Sequence, residues 1–86
     1  MTQNFNLELD GANFEFITMN RVRLQLYQVY VPFEGKRKRF HMEIENDGNF
    51  HIKDPSACPE IYRHLESSMS DAIKNYGEAK PGVQMQ

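Results

Sequence analysis

Phe5-Asn6-Leu7-Glu8-Leu9-Asp10-Gly11-Ala12-Asn13-Phe14-Glu15-Phe16 is the stretch that decides the fold. Apolar side chains stand at every second residue on both sides of Asp10-Gly11. Period two marks a strand with one face buried and one face wet. Asp-Gly is a strong two-residue hairpin signal, because a type I′ turn needs positive φ at both central residues. Pairing Leu9 with Ala12 sets Leu7 opposite Phe14 and Phe5 opposite Phe16, so the apolar faces agree. A type II′ loop on Gly11-Ala12 also keeps them in phase, and both registers stay open at this point.

The same alternation recurs along the chain, in Val22-Leu24-Leu26, Phe40-Met42-Ile44 and Phe50-Ile52. Strand two is expected from Ala12 to Ile17, followed by a tight turn around Thr18-Met19-Asn20. Strand three then runs from Arg21 to about Tyr30, with Phe16 facing Val22 and Phe14 facing Leu24. Tyr27, Val29 and Val31 have the opposite parity, which asks for a bulge near Leu26-Tyr27 or burial of both faces. Pro32 ends the strand and Gly35 marks the loop. Strand four is Lys38 to Glu45. A three-residue turn, Asn46-Asp47-Gly48, is the length that sets Ile44 opposite Phe50 and Met42 opposite Ile52. Strand five ends at about Lys53.

Asp54-Pro55-Ser56 opens the helix, with Ser56 or Asp54 as its cap. Ile61, Leu65, Met69, Ala72, Ile73 and Tyr76 form one stripe at helical spacing. Gly77 suits the position after the last turn. The expected architecture is α+β: a five-stranded antiparallel β-meander with one C-terminal α-helix packed on its apolar face. Residues 1–77 form a single domain, and Glu78 to Gln86 a flexible polar tail.

The chain has 86 residues, a formal net charge of -2 and one cysteine, Cys58. Bulk charge therefore favours neither nucleic acid nor a membrane. One thiol forms no intrachain disulfide, and its solitary state suits a reducing cytoplasm. Met1 to Leu9 lacks the basic and apolar regions of a signal peptide. No apolar run approaches the roughly 20 residues that span a bilayer.

Five strands make a sheet roughly 20–25 Å wide, and one helix is about 10–12 Å across. Phe5, Leu7, Leu9, Phe14 and Phe16 are therefore expected to lie uncovered at one end and to drive self-association. Open edge strands offer a second route to pairing between chains. The aromatic segment Tyr27 to Phe33 is a further contact surface. The leading expectation is a non-catalytic interaction or regulatory module, self-associating or bound to another protein. Phe5, Phe14, Phe16 and Phe33 are its candidate interface residues.

The sharpest charge feature is Lys36-Arg37-Lys38-Arg39. Read as the loop entering strand four, with Tyr27, Tyr30 and His41 near, it can hold phosphates by charge and stack aromatics. A nucleic-acid or phosphate binder is thus the alternative function. The order from Tyr27 to Tyr76 is strand, basic loop, Phe-centred strand, glycine turn, strand and long helix. It resembles the second half of a double-stranded RNA-binding domain. Such domains open their last helix with lysines, whereas this helix opens Ser56-Ala57-Cys58-Pro59-Glu60. The resemblance is one of topology.

On the outer face, Glu15, Arg23 and Glu43 are expected to pair in series, with Arg21 beside Glu45. His41, Glu43 and His51 share that face, and two histidines with a carboxylate are a metal-ligand set. A flat exposed sheet seldom makes such side chains converge, so no metal is assigned. Cys58 and His64 pose the question of a thiol nucleophile, read more simply as a buried small residue and a surface histidine. Ser67, Ser68 and Ser70 read as helix surface. No constellation passes the geometric tests for catalysis, and no cofactor is implied.

Overall fold

A computed structural model describes residues 1–78. Five antiparallel strands form one sheet in the order β1-β2-β3-β4-β5. They are β1 (Phe5–Leu9), β2 (Ala12–Thr18), β3 (Leu26–Phe33), β4 (Lys36–Ile44) and β5 (Phe50–Ile52). Two 3-10 segments follow, Pro55–Ala57 and Glu60–Leu65, and then the helix α1, Glu66–Tyr76. The expected tail lies outside the described residues from 79 onward. Its first residue, Glu78, pairs with Thr2 in an isolated bridge.

The β1–β2 hairpin has Leu9 opposite Ala12, Leu7 opposite Phe14 and Phe5 opposite Phe16. Asp10 and Gly11 both have positive φ, 54° and 80°, which selects the type I′ turn over the II′ alternative. The β4–β5 pair has Ile44 opposite Phe50 and Met42 opposite Ile52, across a turn in which Gly48 has φ 81°.

Strand three departs from expectation. It starts at Leu26, not Arg21, and Phe16 faces Val29. Two apolar parities compete here, Val22-Leu24-Leu26 and Tyr27-Val29-Val31. The second wins because it buries a tyrosine and two valines against Phe16, Phe40 and Met42 in the middle of the sheet. No bulge is needed. Val22 is 80% exposed in the preceding loop. That loop is held by the Asn20 side chain, which accepts the Leu26 N–H at 3.1 Å.

The wide sheet is covered in two pieces. α1 lies along β5. The preceding 3-10 segment sets the Tyr62 ring 5.2 Å from Phe14 and 6.2 Å from Phe33. Phe14 and Phe16 are therefore wholly buried, and so are not the open apolar end expected of them. The helical stretch is two 3-10 segments, separated at Cys58-Pro59, and a short α-helix, and Pro59 has no N–H with which to bond back to Pro55. This shifts the buried face: Tyr62 and Ser70 point inward, while Ile61 and Tyr76 are 55% and 51% exposed. Neither Asp54 nor Ser56 caps by its side chain. Gly77 serves close approach rather than positive φ. A Cβ there would sit 2.6 Å from both the Ile73 carbonyl oxygen and the Tyr27 hydroxyl. That buried hydroxyl lies 2.9 Å from the Gly77 carbonyl and 3.0 Å from the Gln3 carbonyl, tying the chain start to the helix end.

Candidate functional site

The two edges of the sheet are β1 and β5. In a two-residue hairpin the closing pair exchanges both hydrogen bonds. Leu9–Ala12 closes the first hairpin, so Phe5, Leu7 and Leu9 bond to β2. Asn6 and Glu8 then direct their backbone N–H and C=O groups outward. Among the described residues nothing bonds to those groups. Asn6 and Glu8 are exposed, and Phe5, Leu7 and Leu9 are half-buried.

On β5 the outward N–H groups belong to Phe50 and Ile52, because the Asn49 carbonyl accepts the Glu45 N–H just past β4 and the Lys53 N–H bonds to the His41 carbonyl in β4. Both are taken by α1. Ser70 Oγ accepts the Phe50 N–H at 2.8 Å, and Glu66 Oε2 accepts the Ile52 N–H at 2.8 Å. The spacing explains the fit. Residues four apart on a helix rise about 6 Å, and residues two apart on a strand about 6.6 Å. Glu66 and Ser70 thus lie along one line of α1 that matches alternate amides of β5. Ser70 is buried, which corrects its reading as helix surface.

His51 strengthens this closed edge. Its Nε2 lies 2.8 Å from Asp47 and its Nδ1 3.6 Å from Glu66. The hydrogen bond to Asp47 raises the His51 pKa above its ordinary value. Asp47 is lowered, chiefly by the Asn49 backbone N–H and then by His51. Lys74 reaches Asn49 Oδ1 at 2.6 Å and adds a tie between α1 and the turn.

The basic run is not a loop. The turn is Glu34-Gly35, both at positive φ, and Lys36 to Arg39 already belong to β4. Strand alternation divides the four cations. Lys36 and Lys38 pair with Phe33 and Val31 on the core-facing side, and Arg37 and Arg39 with Pro32 and Tyr30 on the outer side. Arg37 stacks 3.8 Å over the Tyr30 ring and reaches Glu15 at 2.5 Å. Tyr30, Lys36 and Arg37 line a shallow recess of about 420 Å³ with Asn13, Glu15, Val31, Pro32 and Gly35. The recess lies where the β2–β3 ladder stops at Glu15–Tyr30. The next hydrogen-bonded pair in that register would be Asn13–Pro32, and Pro32 has no N–H to donate. Lys38, Arg39 and His41 do not line it, and Tyr27 is sealed in the core. The loop that carried the resemblance to a double-stranded RNA-binding domain is thus a strand.

The other singled-out residues have separate partners. His41 Nδ1 lies 3.1 Å from Asp54 Oδ2, while Asp54 Oδ1 accepts the His41 backbone N–H at 2.7 Å. Glu43 pairs with Lys53 at 3.0 Å and Glu15 with Arg37, so the expected pairs with Arg21 and Arg23 do not form. Among the described residues no group of three metal-ligating side chains converges. Cys58 is buried, and burial pushes its thiol up to about 11. His64 sits 3.9 Å from Asp10 at the surface. No helix among the described residues is long and apolar enough to cross a membrane.

Sequence reasoning missed Ser70 and Glu66. The available signal was a serine four residues after a glutamate, on the flank of the apolar stripe. Comparison with known proteins gives no match: no family model, no curated protein and no solved structure matches this chain.

Proposed function

We propose that the protein is a non-catalytic interaction module that binds an extended polypeptide strand along the edge of β1. One observation carries this reading: the outward backbone groups of Asn6 and Glu8 have no partner among the described residues, while those of β5 are taken by α1. An unpaired edge is a template for a further strand, with main-chain bonds giving affinity and alternate side chains giving selectivity. The half-buried row Phe5, Leu7, Leu9 would continue the apolar face into the bound strand. Of the four candidate interface residues, Phe5 lies at this edge. Phe33 packs on Tyr62.

The test is a titration of the isotopically labelled protein with a synthetic peptide of residues 4–10, followed by amide shifts. Asn6 and Glu8 should move, Phe50 and Ile52 should not, and Glu8→Pro should abolish the response. Shifts confined to other strands would sink the reading.

The recess beside Arg37 favours a second reading, binding of an anion by Lys36 and Arg37 with Tyr30 as a wall. Arg37 is already neutralised by Glu15, which weakens it. Inorganic phosphate at low salt should then shift the Lys36 and Arg37 amides; unmoved amides at millimolar phosphate would remove this reading.

A further inference from the structure

We infer that the strand taken by β1 is the β1 of a second copy, antiparallel to the first about a two-fold axis at Leu7. The inference rests on the edge reading above and names its partner.

Strand β1 is five residues long and its outward groups are those of Asn6 and Glu8. Placed antiparallel on itself with Leu7 facing Leu7, the strand overlaps over its full length. Asn6 then faces the partner's Glu8, and each such pair exchanges both of its N–H···O bonds. The same register sets Phe5 opposite Leu9 and Leu7 opposite Leu7, all on the core-facing side. The half-buried apolar row of one copy therefore continues into that of the other. Tyr76, half-exposed with its ring 5.8 Å from Phe5, borders that row and would lose exposure as well.

Charge supports the same register. Glu8 meets a neutral asparagine. Sliding the strands by two residues one way opposes Glu8 to Glu8, a like-charge pair that destabilises a ladder. Sliding them the other way sets Asn6 against Asn6 and leaves Leu9 without a partner. The edge is thus self-complementary in one register, as a two-fold interface requires. The contact is only about 17 Å long, so it belongs to the small, weak class of interfaces. Association should appear over tens to hundreds of micromolar rather than nanomolar.

Two variants test this. Glu8→Pro removes an outward N–H that the monomer does not use, and its ring blocks an incoming strand. Leu7→Cys places two thiols in a non-hydrogen-bonded pair, where Cα atoms lie about 4.5 Å apart, within disulfide range. Buried Cys58 in the wild-type chain serves as the control for adventitious linkage.

Light scattering across protein concentration should show the mass rising from 10.1 kDa towards twice that value. Glu8→Pro should stay at the lower mass with an unchanged circular dichroism spectrum. Leu7→Cys should form a reductant-sensitive dimer under oxidised glutathione while wild type does not. A monomer at every concentration, with no Leu7→Cys linkage, overturns the second-copy inference. If the peptide of residues 4–10 still moves Asn6 and Glu8 in that case, the edge reading survives and another strand is its partner. A dimer that persists in Glu8→Pro and fails to link through Leu7→Cys overturns the inference too, because its interface lies elsewhere. Should Glu8→Pro not fold, the linkage result decides alone.

Discussion

The two edges of this sheet solve one problem in opposite ways. β5 is three residues long, and the helix that follows it supplies an acceptor for each outward amide. β1 is five residues long, and the described chain supplies none. The difference follows from chain order. α1 comes after β5 and returns along it, so its side chains are at hand. At the far edge, the helix end is tied to the chain start through Gln3, whose N–H bonds to the Gly77 carbonyl, and through the Tyr27 hydroxyl, and these hydrogen bonds stop short of Asn6. A closed edge has its backbone groups satisfied within the chain, and an open one leaves them free for another strand to pair with.

The contrast can be broken at β5. Ser70→Ala leaves the Phe50 N–H buried without an acceptor and should cost about 1–3 kcal/mol, read by urea denaturation. A cost near zero would mean that the helix does not close this edge. Glu66→Ala should cost less, about 0.5–1.5 kcal/mol, because the Ile52 amide is only partly buried. It should also speed hydrogen exchange at Ile52 more than at Phe50. Equal acceleration at both amides would show that they open together rather than by separate caps.

Acidity should act on the β5 end. His51 is raised by Asp47, so its contribution is full below the ordinary imidazole value of about 6.5 and is lost as pH rises through its higher folded value. Asp47 is lowered, so its contribution is present above the ordinary carboxylate value and is lost as pH falls through its depressed folded value. The denaturation midpoint should therefore peak in mildly acid solution. The decline on the alkaline side should flatten in His51→Gln, and an unchanged slope in that variant would rule out this account. The smallest effect belongs to the open edge. Glu8→Lys removes no described bond and should shift monomer stability by less than about 0.5 kcal/mol. A larger loss would reveal a partner for Glu8 within the chain.

What was legible in the sequence was local. Asp10-Gly11 and Asn46-Asp47-Gly48 join strands whose apolar residues are close in sequence, so turn chemistry and period fixed their pairing. β3 was misread because Val22-Leu24-Leu26 and Tyr27-Val29-Val31 carry equally good patterns. The choice between them depends on Phe40 and Met42, far along the chain. The basic run misled because four charges in a row look like a loop, whereas alternation splits them between the two faces of β4. The open edge was anticipated only in general terms. Which edge stays open depends on Glu66 and Ser70 meeting Ile52 and Phe50, a match that only the folded helix brings about.

The most direct measurement is amide hydrogen exchange at Asn6, Glu8, Phe50 and Ile52 as protein concentration is raised. Phe50 and Ile52 should be protected throughout. Asn6 and Glu8 should exchange freely in dilute solution and gain protection as concentration rises, because a second β1 comes to pair with them. Asn6 and Glu8 amides whose exchange is unchanged across that range would contradict the claim that β1 pairs with the β1 of a second copy.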